Sequence, residues 1–406
     1  MSMPEKKEAG AGVGVISSSE SFQQELVRLR RSLHRTPETG LNLPRTQEKI
    51  LEELEGLDLE ITTGEGLTSV TAVQRGREPG PTVLLRADMD GLPLGEEGQH
   101  PFVSRHAGAM HACGHDMHMA MLVGAARLLH GADFPGSIVY MFQPGEEGHG
   151  GAELMVQEGV LTAAGQRPVA AYALHVVASM LPGGIFVSRP GVVLGGSDTI
   201  RLTVRGTGGH SAMPHRTRSP LPAACAVVSS VQNALSSSID PFDPVVAGTT
   251  GLHAGEADNA IPDRAEITLS LRSFSAEARR KAKEEIVRLA EGIASAHDVG
   301  VDIRTCEGYP VTRNDPKETA FAAATVQQVF GPDRYVQVAR PLPASEDFSY
   351  VLDEVPGAYV SLGACPPGVP PEEAAPNHSP RAAFDEGVLG DGARYYAELA
   401  LRRLRA

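Results

Sequence analysis

Residues 84–120 gather groups able to hold a metal ion: His100, His106, His111, His115 and His118, with Cys113 among them, in a chain otherwise sparse in both types. Cys113-Gly114-His115-Asp116 is the sharpest piece. A thiol and an imidazole flanking one glycine leave an extended chain on the same side. Gly114 also permits a bend that a side chain would resist. Such a pair would grip zinc, manganese, cobalt or nickel. A plainer reading is open too, a buried free cysteine beside satisfied histidines. Four other segments supply similar chemistry. Glu146-Glu147 follows an apolar run at 137–142. Neighbouring side chains in extended backbone face opposite ways, so a turn must bring one carboxylate to a metal and its neighbour over a water. Two carboxylates in unlike environments can divide the work between ligand and proton carrier. His175 ends the apolar run YALHV, His378 sits in Asn-His-Ser-Pro after a proline-rich loop, and His210 sits in Gly-Gly-His-Ser. Singly, each has an ordinary alternative: a solvated acidic loop, a structural histidine or a turn.

The chain bounds what this chemistry can serve. Its 406 residues are enough for two or three domains, and 41% hydrophobic with 21% charged residues is ordinary for a folded globular protein. A formal net charge of -14 argues against a nucleic-acid or anionic-membrane surface. No apolar run is long enough to span a bilayer. Residues 1–18 read as a disordered leader without a signal core, which points to the cytoplasm. Cys113, Cys225, Cys306 and Cys365 are too scattered for a disulfide framework, and no resolving cysteine lies near Cys113 for redox work.

Strands and helices must carry these groups to one place. Apolar runs at 82–85, 137–142 and 169–176 read as buried strands that carry or precede candidate ligands. Helices are expected at 19–33, 46–57, 116–131, with Asp116 as its cap, and 152–160. The positive end of the 116–131 helix beside Cys113 would favour thiolate. This alternation predicts a layered α/β domain with ligands at the strand ends. At Gly195-Gly196 the rhythm changes. Residues 195–308 read β-α-β-β-α-β, the order of a ferredoxin-like unit. The expected architecture is a mixed-sheet catalytic domain formed by 19–194 and 309–406, with 195–308 inserted as a lid and dimerisation domain. Helices at 318–330 and up to 406, and a strand at 357–363, complete the catalytic part.

In order along the chain stand MHACGHD, PGEEGHGGA, ALHV, GTGGHSAMPH, NAIPD, ASEDFSY and NHSP. That series resembles the two-metal amidohydrolases of the aminoacylase and metallocarboxypeptidase superfamily, in the branch of hippurate hydrolase, plant auxin-conjugate amidohydrolases and N-acetyl-diaminopimelate deacetylase. The resemblance implies two divalent metal ions held by Cys113, His115, Glu147, His175 and His378, with Cys113 bridging. It implies Glu146 as general base and acid, and His210 reaching a neighbouring subunit's site to steady an oxyanion. Asn259 and Arg272, on strands of the insert, would bind the substrate's carbonyl or carboxylate. The implied reaction is hydrolysis of small N-acyl amino acids by a homodimer, with dipeptidase or carboxypeptidase activity as the alternative. One departure stands out. Arg86-Ala87-Asp88 occupies the place of a His-x-Asp in other branches, and arginine, always protonated, cannot replace that ligand. Arg86 and Asp88 are therefore expected to form a buried supporting pair, and His111, His118 and His149 to support rather than ligate.

Overall fold

The computed structural model describes residues 19–406, so the leader expected at 1–18 lies outside the described residues. An eight-stranded mixed sheet organises the larger part. Its order across is Glu60–Thr63, Val70–Arg75, Pro135–Gln143, Glu78–Asp88, Ala170–Val177, Gly357–Gly363, Phe186–Ser188 and Tyr335–Gln337. The four strands from Pro135–Gln143 to Gly357–Gly363 run parallel. Buried on both faces, they read as continuous apolar runs, which is why they were legible as strands. Glu60–Thr63 and Val70–Arg75 form an antiparallel hairpin at one edge that the apolar pattern did not announce.

One face of the sheet is covered by the helices Glu20–His34, His115–Leu129 and Leu389–Leu404, which pack on one another through Leu26, Leu29, Met117, Leu122, Tyr396 and Leu399. Ser19 caps the first of them, accepting a hydrogen bond from Phe22 N–H. The opposite face carries the shorter helices Gly151–Gln157 and Ser349–Glu354 over Leu84, Val139, Met155 and Phe348. No helix among the described residues is long and apolar enough to cross a membrane.

The chain leaves these layers after the strand Gly191–Leu194 and returns through Thr312–Asn314, which pairs with it antiparallel. Between the two crossings lies a separate four-stranded antiparallel sheet, ordered Val245–His253, Arg264–Ser273, Gly196–Arg205 and Gly300–Glu307. Strict alternation of buried and open positions along Arg264–Ser273 sends Ile267, Leu269 and Leu271 to one face. Helices Leu221–Ser238 and Ala276–Ala296 cover that face, closing a core of their own around Ile200, Leu202, Val231 and Ile286.

Candidate metal centre

Parallel pairing aligns the carboxyl ends of four strands. Asp88 lies opposite Gln143, Arg86 opposite Ala173, and His175 opposite Ser361. The loops that follow therefore open at one edge of the sheet, where α/β proteins collect their functional groups. Two local readings needed correction. Cys113 and His115 do not share an extended segment: Gly114 takes φ +89 and His115 begins the helix. A Cβ on Gly114 would lie 2.4 Å from Val176 Cγ2, so only glycine fits this bend. Nor does Asp116 cap that helix. The N-cap is Gly114, and Asp116 turns away to meet Arg30 and His34.

Glu146 and Glu147 lie in a turn beyond the strand Pro135–Gln143 rather than in extended backbone, so both carboxylates face the same side. Asp90 builds that turn by accepting from Glu146 N–H and Glu147 N–H, each at 3.0 Å. Their oxygens come within 4.0 and 3.9 Å of His115 Nε2. Cys113 Sγ is the centre of the arrangement. It lies 3.3 Å from His175 Nε2 and 3.2 Å from His378 Nε2. His378 Nε2 in turn lies 3.2 Å from Glu147 Oε1. Cys113 thus belongs to two groups of metal-competent atoms, one with His115 and His175 and one with Glu147 and His378, each within 4.8 Å.

The donor set fits divalent metal ions. Both ring nitrogens of His115 are buried without a hydrogen-bond partner, a costly state unless a cation takes up a lone pair. His175 donates from Nδ1 to the Val176 carbonyl at 2.8 Å, leaving Nε2 free as a ligand. Burial and the nearby His118 hold His175 well below the usual imidazole range, in the neutral form that metals bind. Burial also raises the Cys113 thiol, contrary to the thiolate expected from the helix end alone. His378 adopts φ +68, a left-handed conformation rare outside glycine and a form of strain typical of functional sites. Asn377 holds it there, donating to the Cys113 and Val176 carbonyls and accepting from Ala178 N–H.

The charges behind the centre are sorted by Arg86, which is buried and paired with Asp88 at 2.6 Å as expected. Its guanidinium also reaches Gln143, Glu346 and Asp347. Burial opposes ionisation of Asp88, but Arg86, His115 and His118 outweigh it and hold its carboxyl well below the ordinary range. Glu146 has the opposite fate. Burial pushes its carboxyl well above the ordinary value, and the charges of Glu346, Glu147 and Asp347 add to the effect. His118 donates to Asp88 at 2.5 Å and accepts from Val176 N–H at 2.8 Å, so it braces rather than faces the centre. His111 is buried and lowered to about 4 by that burial, while His149 is exposed at the cleft rim. Residue-by-residue reading passed over Asp90, Gln143, Glu346, Asp347 and Tyr309. Two of them stand in the quoted ASEDFSY motif, which was the available signal. Tyr309, whose hydroxyl donates to the Glu146 carbonyl and accepts from Gly150 N–H, had none.

Cys113, Glu146, Glu147, His175 and His378 line one cleft, and Arg272 lines its far wall from the four-stranded sheet, donating to Ser345 Oγ at 3.0 Å. His210 and Asn259 are elsewhere. Both are exposed, and Ser211 N–H donates to the Asn259 carbonyl beside the short pairing of Gly209–His210 with Ala260–Ile261. Asn259 stands in the turn before that strand rather than on a strand.

A mixed α/β sheet with a thiol, imidazoles and carboxylates gathered at its carboxyl edge in two sets of metal-competent atoms is suited to metal-dependent hydrolysis. The chain belongs to the peptidase family M20/M25/M40, whose pattern matches residues 84–402. It is 36% identical over 389 residues to thermostable carboxypeptidase 2 of Saccharolobus solfataricus, covering 93% of this chain and 95% of that one. It is 32% identical over 387 residues to hippurate hydrolase of Campylobacter jejuni, covering 95% and 98%. Among solved structures, the YXEP protein of Bacillus subtilis, a dinuclear metal-binding peptidase of the M20 family, superposes with a TM-score of 0.81 at 31% identity, covering 95% and 99% of the two chains.

Proposed function

We propose that this protein hydrolyses the amide bond of small N-acyl amino acids, of the N-acetyl, N-benzoyl or indole-acyl type, releasing the amino acid and a carboxylic acid. The observation that carries the reading is the position of Cys113 Sγ between His175 and His378, shared by both sets of metal-competent atoms. Cys113, His115, Glu147, His175 and His378 would hold two divalent ions, zinc, manganese, cobalt or nickel. Bound there, such ions polarise a carbonyl and make a water acidic near neutral pH.

The remaining chemistry belongs to the chain. Glu146, buried beside the centre and with no ligand duty, takes the proton from the attacking water and delivers it to the leaving nitrogen. Arg272, half-buried across the cleft, pairs with the free carboxylate of the amino acid. His210 and Asn259 act in the cleft of a second copy, His210 donating to the developing oxyanion, so the working form is a homodimer. Residues 195–308 serve as its lid and pairing module, a ferredoxin-like unit that swings about Gly195-Gly196.

The relation to a carboxypeptidase favours a second reading, cleavage of a C-terminal residue by the same centre. Initial rates on N-acetyl, N-benzoyl and indole-acyl amino acids, set against dipeptides and longer acyl peptides, separate the two. The proposal expects kcat/KM at least about tenfold higher on the acyl amino acids. Higher values on peptides would replace it by the second reading.

A further inference from the structure

A second cluster of imidazoles and carboxylates lies behind the first turn of the helix His115–Leu129 and takes no part in the hydrolysis described above. We propose that His34 Nε2, Glu96 Oε1 and His100 Nε2 bind a further divalent metal ion of the zinc type, separate from the Cys113 centre. The three atoms lie within 4.8 Å of one another. Glu96 Oε1 is 3.1 Å from His34 Nε2 and 2.8 Å from His100 Nε2. Tetrahedral ligands about 2.0–2.2 Å from zinc sit roughly 3.4 Å apart, so the contacts open by a few tenths of an ångström to admit the ion.

Each ligand is braced for this. Asp116 accepts from His34 Nδ1–H at 2.7 Å, while Arg30 Nε, 2.7 Å from the same oxygen, keeps that carboxylate ionised. A carboxylate on one ring nitrogen presents the lone pair of the other to a metal. Glu96 is fixed through its second oxygen, which accepts from Ser104 N–H at 2.6 Å. His100 stacks on Phe102 with ring centroids 4.0 Å apart. His34 and Glu96 are almost wholly buried, whereas His100 keeps 22% of its side chain exposed, giving water a way to the open position. With neutral imidazoles, Arg30 and Arg31 pair with Asp116 and Glu386, and the Glu96 carboxylate, whose ion-pair partners are His34 and His100 alone among the described residues, is left without a cation. A proton on His34 would serve only its own contact with Glu96. A divalent ion serves both imidazoles and the carboxylate together.

The site also answers a mechanical need. No helix or strand forms between Asp88 and His115, and loops of that length in compact domains are usually functional or tied down. An ion held by His34, Glu96 and His100 clamps this loop to the end of the helix Glu20–His34. Through Asp116 it reaches the helix that begins at His115.

The test strips the full chain with a chelator, reloads it with zinc, and counts metal by mass spectrometry. Native chain should retain one equivalent more than His100→Leu or Glu96→Gln, and anomalous diffraction at the zinc edge should show a peak between His34 and His100. That equivalent should raise the Tm of the native chain and leave His100→Leu unmoved. Equal zinc content in native and His100→Leu chains, with anomalous peaks only beside Cys113, would overturn the proposal in favour of a protonated His34. His100 lies at the rim, so its variant keeps the test valid if Glu96→Gln fails to fold. Loss of the metals at Cys113 with retention of this one would count against the hydrolytic reading alone.

Discussion

The carboxyl edge of the large sheet and the four-stranded sheet beside it solve opposite problems with the same residue types. At the sheet edge, Asp88, Arg86, Glu346 and Asp347 are buried, and each is positioned by another polar group. In the four-stranded unit the core is apolar, and ion pairs such as Arg205–Asp302 and Arg218–Asp298 lie in solvent. Its candidate functional side chains, His210 and Asn259, are exposed too. A buried polar centre is costly unless fully paired, so every member reports on its neighbours. An exposed side chain is cheap to keep, and its use depends on what comes to meet it.

The sharpest way to break this contrast is at Glu146. Glu146→Gln should retain the metals yet lose about three orders of magnitude or more in kcat, measured by turnover alongside metal content. Near-native rates would remove Glu146 from the chemistry. His210→Ala should lower kcat by about a hundredfold without changing metal content. Mixing it with Glu146→Gln should restore activity, because a mixed pair rebuilds one complete cleft. If His210 acts within its own chain, no mixture will recover.

Stability sharpens the same comparison on a smaller scale. Arg86→Met strands Asp88, Glu346 and Asp347 without their cation and should cost about 3–5 kcal/mol in denaturant unfolding. Arg205→Ala in the exposed pair should cost no more than about 1 kcal/mol. Comparable losses would mean that the two regions are not built differently. The smallest effect is a pH dependence at Glu96. Burial there opposes the charge, but His100, His34 and Ser104 N–H outweigh it and hold the carboxyl below its ordinary 4.5. A depressed pKa contributes stability above the unfolded value and loses it as pH falls toward the folded one. The gap in stability between the native chain and Glu96→Gln should therefore be full at neutral pH and shrink below about 4.5. A gap that widens in acid would refute the assignment.

The parallel strands were legible because burial on both faces demands unbroken apolar runs, and Glu78–Asp88, Pro135–Gln143 and Ala170–Val177 comply. The edge strands Glu60–Thr63 and Tyr335–Gln337 were not, since solvent on one side removes that demand. Among site residues, Cys113, His115 and the Glu146-Glu147 pair were marked by residue type, with Glu147 singled out by the family resemblance, while Asp90, Gln143 and Tyr309 matter only through contacts made across the fold.

By itself, then, the sequence determined which groups are available for metal and proton chemistry, and that they follow strands. Residue type sets softness, charge and basicity wherever the residue lies. Only the tertiary structure decided that His378, hundreds of residues downstream, meets Cys113, and that His210 and Asn259 lie outside the cleft. It also turned Asp116 from a helix cap into the brace of His34. Distances between remote segments follow from strand register and packing, and spacing along the chain does not encode them.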